Sequence, residues 1–117
     1  MMEFYLAHIG VNPKSNQETE QMMELFTLLF PDDRGLETPL SWFRANGKIE
    51  VMKDKGYGEK GHMAFYASDI HEAMKMLEEK GYRFDEESAK YDSDGSLRLI
   101  YLDREINGFA IHLTTRK

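Results

Sequence analysis

Gly61-His62-Met63-Ala64-Phe65 decides the fold, because this stretch repeats a pattern that occurs near the start of the chain. There, Ala7-His8-Ile9-Gly10-Val11 also places a histidine before alternating apolar positions. Both stretches have the period of two that is typical of a strand, and both precede a helical pattern. The sequence therefore predicts two halves of similar organisation.

The first half predicts a strand, a helix and a hairpin. Ser15 and Glu18 have capping-box spacing ahead of helically spaced apolar residues, and Pro31 ends that helix. Asp32–Thr38 is predicted to be a polar connection, and the Asn46-Gly47 pair is a strong hairpin signal. The predicted strands of this half are Glu3–Asn12, Leu40–Ala45 and Lys48–Lys53.

The second half repeats this order. Asp69 and Glu72 cap a second predicted helix, which Gly81 ends. Asp54–Lys60 contains two glycines and has the composition of a linker between the halves. The predicted strands are Gly61–Ala67, a strand that starts at Tyr82, Leu97–Leu102 and Phe109–Thr115. Each half thus contains a strand, a helix and two or three further strands.

Composition limits the function classes. The 117 residues suffice for one domain with a single core, spanning residues 1–117. The absence of cysteine excludes disulfides, thiolate metal sites and cysteine nucleophiles. A net charge of -6, from 15 basic and 21 acidic residues, argues against a nucleic-acid partner. The chain shows neither a secretory signal nor a membrane-spanning run, so we expect a cytoplasmic protein with no membrane partner.

Metal-binding side chains occupy matching positions in the predicted strands. The four residues are His8, Glu50, His62 and His112. Glu50 lies between Ile49 and Val51, and His112 has the same kind of apolar neighbours. Burying those neighbours against a helix sends the polar side chain to the opposite face of the sheet. We therefore predict that all four side chains face one cleft and bind a divalent metal ion.

The donor types narrow the choice of metal. Three imidazoles and one carboxylate suit a transition metal, with zinc or nickel favoured and cobalt, iron or manganese as alternatives. They supply too few oxygen atoms for calcium or magnesium. Two other residues near the pattern lead to separate predictions. Trp42 and Phe43 occupy opposite faces of one strand, so one of them faces the cleft. His71 lies beside the apolar stripe of the second helix and is predicted to be exposed and without function.

The pattern resembles the vicinal oxygen chelate superfamily, which includes glyoxalases, epimerases, extradiol dioxygenases and bleomycin resistance proteins. In that family two βαβββ modules form a cupped mixed sheet, and the metal ligands come from the first and last strands of each module. The resemblance implies an α+β, glyoxalase-like fold with modules at residues 1–57 and 58–117. The matching motifs are AHIGV with His8, KIEVM with Glu50, GHMAF with His62 and FAIHL with His112.

A closer resemblance is to the accessory C-terminal domain of some bifunctional keto-hydroxyglutarate and keto-deoxy-phosphogluconate aldolases. The segments IEVMK, GHMAF, FDEESAKYD and GFAIHL carry it. The chain has no aldolase barrel, so this resemblance implies no aldolase activity. The chain also departs from the glyoxalases, where the last ligand is usually glutamate and here is His112. Glu50 is therefore the only carboxylate among the four residues.

The resemblance implies a metal-dependent lyase, isomerase or epimerase that acts on a small oxygenated substrate through metal-stabilised enolate chemistry. Glu50 is the predicted catalytic base. The alternative is a non-catalytic ligand-binding or aldolase-accessory module of the same fold. An extradiol dioxygenase is disfavoured, because the short chain leaves little loop length to enclose an aromatic diol. The family also allows a homodimer, with the site in one chain or shared between two.

Overall fold

The helices and strands lie close to the positions that the sequence predicts. The computed structural model describes residues 2–116. Within that range an eight-stranded mixed sheet carries two helices, so the α+β prediction is confirmed. The elements are β1 Phe4–Val11, α1 Asn16–Leu29, β2 Leu36–Glu37, β3 Ser41–Arg44, β4 Ile49–Met52, β5 Gly61–Ala67, α2 Ile70–Glu79, β6 Phe84–Tyr91, β7 Leu97–Leu102 and β8 Phe109–Thr114.

Both helix caps form as predicted. The Ser15 hydroxyl accepts a hydrogen bond from the Glu18 backbone N–H at 3.1 Å, and the Asp69 carboxylate accepts one from the Glu72 N–H at 3.0 Å. The strand β2 was not predicted, since it lies inside the stretch expected to be a polar connection. Its two residues are too few to show an alternating pattern.

The sheet order places the predicted ligand strands side by side. The order is β2-β3-β4-β1-β5-β8-β7-β6. At its centre β1 pairs in parallel with β4 and antiparallel with β5, and β5 pairs in parallel with β8. Parallel neighbours cannot be joined by a tight turn, so the pairings with β4 and β8 bring together distant parts of the chain. The four central strands are therefore β4, β1, β5 and β8.

The two helices cover the sheet to different extents. The helix α2 packs on a buried cluster made by Ala67, Ile70, Ala73, Leu97, Ile100 and Leu113. The helix α1 contains no fully buried residue, and its Leu25, Leu28 and Leu29 are 50%, 72% and 60% exposed. Helical periodicity predicts which face is apolar, but the cover over that face depends on the rest of the fold. Neither helix within residues 2–116 is long and apolar enough to cross a membrane.

Candidate metal centre

Two cross-strand rows bring the predicted ligands onto one face of the sheet, because residues paired across strands point to the same side. One row runs Glu50, Gly10, His62 across β4, β1 and β5. The next row runs His8, Ala64, His112 across β1, β5 and β8. The middle of each row holds a small residue, which leaves room for the imidazole rings above it. His71, by contrast, is exposed on α2, as the sequence predicts.

The side-chain donor atoms of these rows converge. The Nε2 atoms of His8 and His62 lie 3.3 Å apart. The Glu50 Oε1 atom lies 2.9 Å from Nε2 of His62 and 3.3 Å from Nε2 of His8. One ring nitrogen from each of His8, His62 and His112 lies within 4.8 Å of the others, and this group could hold a metal ion. Two of these histidines are buried and His8 is partly buried, so the cluster is shielded from water.

The donor spacing fits a single coordination sphere. With metal–ligand bonds of about 2.0–2.1 Å, adjacent ligand atoms lie about 2.9 Å apart at a right angle and about 3.3 Å apart at the tetrahedral angle. The separations among His8, His62 and Glu50 fall between these values. The chemistry of the donor set, imidazole nitrogen with one carboxylate, also suits a divalent transition metal.

His112 is prepared for ligation by its backbone partner. Its Nδ1 atom lies 3.1 Å from the carbonyl oxygen of Leu113. A carbonyl oxygen can only accept, so Nδ1 carries the proton and Nε2 keeps its lone pair. Burial lowers the pKa of His112 to about 4, so this imidazole is neutral at pH 7. Neutral imidazole is the form that binds a metal.

The stability of the metal-free protein is expected to fall as the pH drops from about 6.5 to about 4. In this window the unfolded chain protonates His112, whereas the folded chain does not, because the ordinary pKa of 6.5 is lowered to about 4. At about 1.4 kcal/mol per pH unit, the loss approaches about 3 kcal/mol at pH 4. Urea unfolding at several pH values with a chelator present measures it.

His112→Gln is the matched control for that titration. This variant should lose most of the pH dependence between pH 6.5 and 4, because glutamine does not titrate. The low pKa of Glu50 also makes folding sensitive to acid, but its contribution begins only near the ordinary value of 4.5. An unchanged slope in the variant between pH 6.5 and 5 would contradict the assignment to His112.

Glu50 is held as an anion by its neighbours. Burial alone would raise the pKa of this carboxyl, but hydrogen bonds from His62, His8 and Ser41 outweigh that effect and hold the pKa well below its ordinary value. The Ser41 hydroxyl donates to Oε2 at 2.7 Å, which leaves Oε1 for the histidines. Ser41 is fully buried, so this hydrogen bond fixes the orientation of the carboxylate.

His62 differs from His112 in its second nitrogen. The Nδ1 atom of His62 is buried and has no hydrogen-bond partner within residues 2–116. Its ring lies directly over Gly10, where a Cβ atom would come 1.9 Å from the ring carbon Cε1. The position of the His62 ring therefore depends on contacts of Nε2 and on the absence of a side chain at Gly10.

Aromatic rings flank the cluster on two sides. The edge of Phe43 meets His8 with ring centroids 5.3 Å apart, so Phe43 faces the cleft. Trp42 lies on the other face of β3, where the Lys53 ammonium sits 5.0 Å from its ring centroid. On the opposite side Tyr101 packs on His112 at 4.6 Å. Burial, aided by the charge of Glu50, raises the pKa of Tyr101, so its phenol stays neutral.

The predicted linker supplies a further wall of the site. Tyr57 stacks on Tyr101 with ring centroids 4.1 Å apart and an angle of 18°. The Asn12 side chain holds the backbone on both sides of Tyr57, because its amide donates to the Gly58 carbonyl at 2.7 Å and its oxygen accepts from the Gly56 N–H at 2.8 Å. Sequence reasoning missed Ser41, Tyr57 and Tyr101, since only strand pairing and this clamp bring them to the cluster.

Asn12→Ala is expected to release the segment around Tyr57. Two partly buried hydrogen bonds are lost, so the free energy of unfolding should fall by about 1–3 kcal/mol. Backbone amide exchange at Gly56 and Gly58 should become faster, as mass spectrometry can measure. Gln17→Ala, at an exposed position of α1, is the control and should change neither quantity. Unchanged exchange in Asn12→Ala would contradict the clamp.

The histidine cluster opens into a groove of about 1000 Å³. Its lining includes Phe43 on one side and Leu99, Tyr101 and Thr114 on the other. The volume is that of a small-molecule site. The fold and site together define an α+β protein whose groove contains a cluster of three histidines and one glutamate.

Comparisons with known proteins support the fold and identify no function. No known family profile matches the sequence, and the search of curated proteins found no match. The crystal structure of a hypothetical protein from Bacillus halodurans C-125 is similar, with a TM-score of 0.58 and 16% sequence identity over 98% of this chain and 96% of that chain. At this identity the similarity extends to the fold alone.

Proposed function

We propose that this protein is a metal-dependent enzyme of the glyoxalase-like kind, acting on a small oxygenated substrate. One observation supports the proposal above the others. His8, Glu50, His62 and His112 come from four different strands, yet their side chains meet at one place in the groove. Converging donors of this type are rare without a functional reason.

The order of elements supports the two-module arrangement that belongs to this proposal. Strand, helix and three strands occur in β1 to β4, and the same order recurs in β5 to β8. The first strands of the two sets, β1 and β5, pair at the centre of the sheet. We assign residues 1–57 and 58–117 to the two βαβββ modules, with the groove across their junction.

The three histidines and Glu50 would hold a divalent transition metal, which supplies Lewis-acid stabilisation of negative charge on a substrate oxygen. Phe43 and Tyr101 border the cluster and limit water around the reacting groups. Glu50 is the candidate base for taking a proton from a carbon next to a carbonyl. Its low pKa comes from histidine hydrogen bonds to the same Oε1 atom that would face the substrate, so losing those bonds raises its basicity.

Glu50→Gln tests the catalytic role. The variant is expected to lose turnover by about 100-fold or more on a substrate found among 2-oxoaldehydes and 2-keto acids, because general-base catalysis contributes about that much. Ser41→Ala is the graded control, since it removes one hydrogen bond to Glu50 and keeps the carboxylate. Unchanged turnover in Glu50→Gln would exclude the base role.

The alternative is a non-catalytic ligand-binding or aldolase-accessory module of the same fold. The specific observation in its favour is that Glu50 is the only carboxylate in the cluster and is already neutralised by two histidines. A binding module needs the groove and its donors but no base. Binding of a 2-keto acid without turnover, unaffected by Glu50→Gln, would support this alternative. The homodimer stays a prediction.

A further inference from the structure

A third cross-strand row lies next to the histidine cluster in the groove. Lys90 on β6 pairs with Leu99 on β7, and Leu99 pairs with Thr114 on β8. Paired residues share a face, and Thr114 follows His112 by two positions on the same strand. All three residues line the groove. Lys90, Leu99 and Thr114 are therefore named here the distal row.

The distal row lies at a positively charged end of the groove. Lys90 and Arg98 line this end, and neither side chain has an ion-pair partner within residues 2–116. Arg116 also lines it and is paired with Asp92 at 2.9 Å. Two unneutralised cations therefore remain at one end of the groove, in a chain whose net charge is -6. Clustering against the overall charge favours an anionic ligand at this place.

Thr114 adds a buried hydroxyl to this charge. The residue is 5% exposed, and its Oγ1 atom accepts a hydrogen bond from the Arg116 backbone N–H at 3.1 Å. Accepting that bond leaves the hydroxyl proton free to be donated. A buried donor beside an ammonium group is the combination that recognises a carboxylate or a phosphate group. Leu99, between Lys90 and Thr114, provides an apolar floor.

We propose that the distal row binds the anionic group of a substrate whose opposite end carries the two neighbouring oxygens that meet the histidine cluster. This inference rests on the proposed function and narrows its substrate class to small acids with a second charged group. Two residues along a strand span about 7 Å, so the anionic group lies about that far from the oxygens near His112. A chain of about four or five bonded atoms covers this distance.

Matched pairs of small acids test the proposal. 2-Oxoglutarate and 2-oxopentanoate differ only in the terminal carboxylate, and 3-phosphoglycerate and glycerate differ only in the phosphate. Calorimetric titration of the wild-type protein, both zinc-loaded and metal-free, measures the affinity for each. The charged member of at least one pair is expected to bind about fivefold tighter or more, and the better pair identifies carboxylate or phosphate as the anionic group.

Variants connect the preference to the distal row. Lys90→Gln and Thr114→Val should each reduce the advantage of the charged ligand, while zinc affinity stays at the wild-type value. Lys75→Gln, at an exposed position of α2, is the control and should keep the full advantage. Equal affinity within both pairs, absence of binding by all four acids, or an advantage retained by both groove variants would overturn the proposal.

The same titrations distinguish this proposal from the proposed function. Zinc binding without any preference for the charged acids would overturn the distal row and leave the metal centre in place. A preference that persists in metal-free protein, in a chain that binds no metal, would overturn the metal-dependent function and support the distal row.

Discussion

His62→Gln is expected to lower the affinity for a transition metal by about 100-fold or more. The Nε2 atom of His62 lies 2.9 Å from the Glu50 carboxylate and 3.3 Å from Nε2 of His8, so it occupies one corner of the donor set. Losing a group that only orients a ligand already costs about 10–100-fold, and losing a ligand costs at least as much. The wild-type protein, prepared without a tag or chelator, should contain about one equivalent of metal.

Parallel variants locate the site. His8→Ala and His112→Ala should lose the metal as well, because their ring nitrogens belong to the same group. His71→Ala is the control, since His71 is exposed on α2 and should bind nothing. Metal analysis followed by competition titration gives the stoichiometry and the affinities. No metal in the wild-type protein, even after reconstitution, would end the Lewis-acid proposal and favour the ligand-binding alternative.

The second large effect is expected from Gly10→Ala, a change of one methyl group away from any donor atom. A Cβ atom at Gly10 would lie 1.9 Å from Cε1 of His62, so the His62 ring must move off its position over β1. We expect the metal affinity to fall by roughly tenfold or more, as for other groups that position a ligand. Overpacking should also lower the free energy of unfolding by about 1–3 kcal/mol.

Gly95→Ala is the control for Gly10→Ala. Gly95 has a φ of 87° in an open turn, so its substitution strains the backbone and lowers stability while leaving the histidines in place. Metal affinity should therefore fall in Gly10→Ala and stay unchanged in Gly95→Ala. Wild-type affinity in a folded Gly10→Ala protein would contradict the close contact between Gly10 and His62 and would question His62 as a ligand.

Local rules explain how far the site could be predicted from the sequence. Side chains alternate along a strand, so apolar neighbours place Glu50 and His112 on the face away from α2 and the core. The same rule separates Trp42 from Phe43 but leaves open which of the two faces the cleft. The structure decides for Phe43, because the pairing of β3 with β4 sets Phe43 opposite Glu50.

Residues that come from connections were beyond local rules. Tyr57 lies in a segment that has the composition of a linker, and its place on Tyr101 depends on two hydrogen bonds from Asn12, more than 40 positions earlier in the sequence. The cover over α1 is a similar case. Its capping box and apolar spacing predict the helix, yet the exposure of Leu28 depends on how the helix lies against the sheet.

The sequence by itself determined the helices with their caps, most of the strands, the hairpins and the side of each strand that bears a donor. These features depend on residues within a few positions of one another. Only the tertiary structure decided that β4 lies beside β1 and that β8 lies beside β5. These pairings join residues about 40–50 positions apart, such as Gly10 with Glu50 and Ala64 with His112. Contacts over such separations depend on chain closure and on packing of the whole domain, which no local pattern encodes.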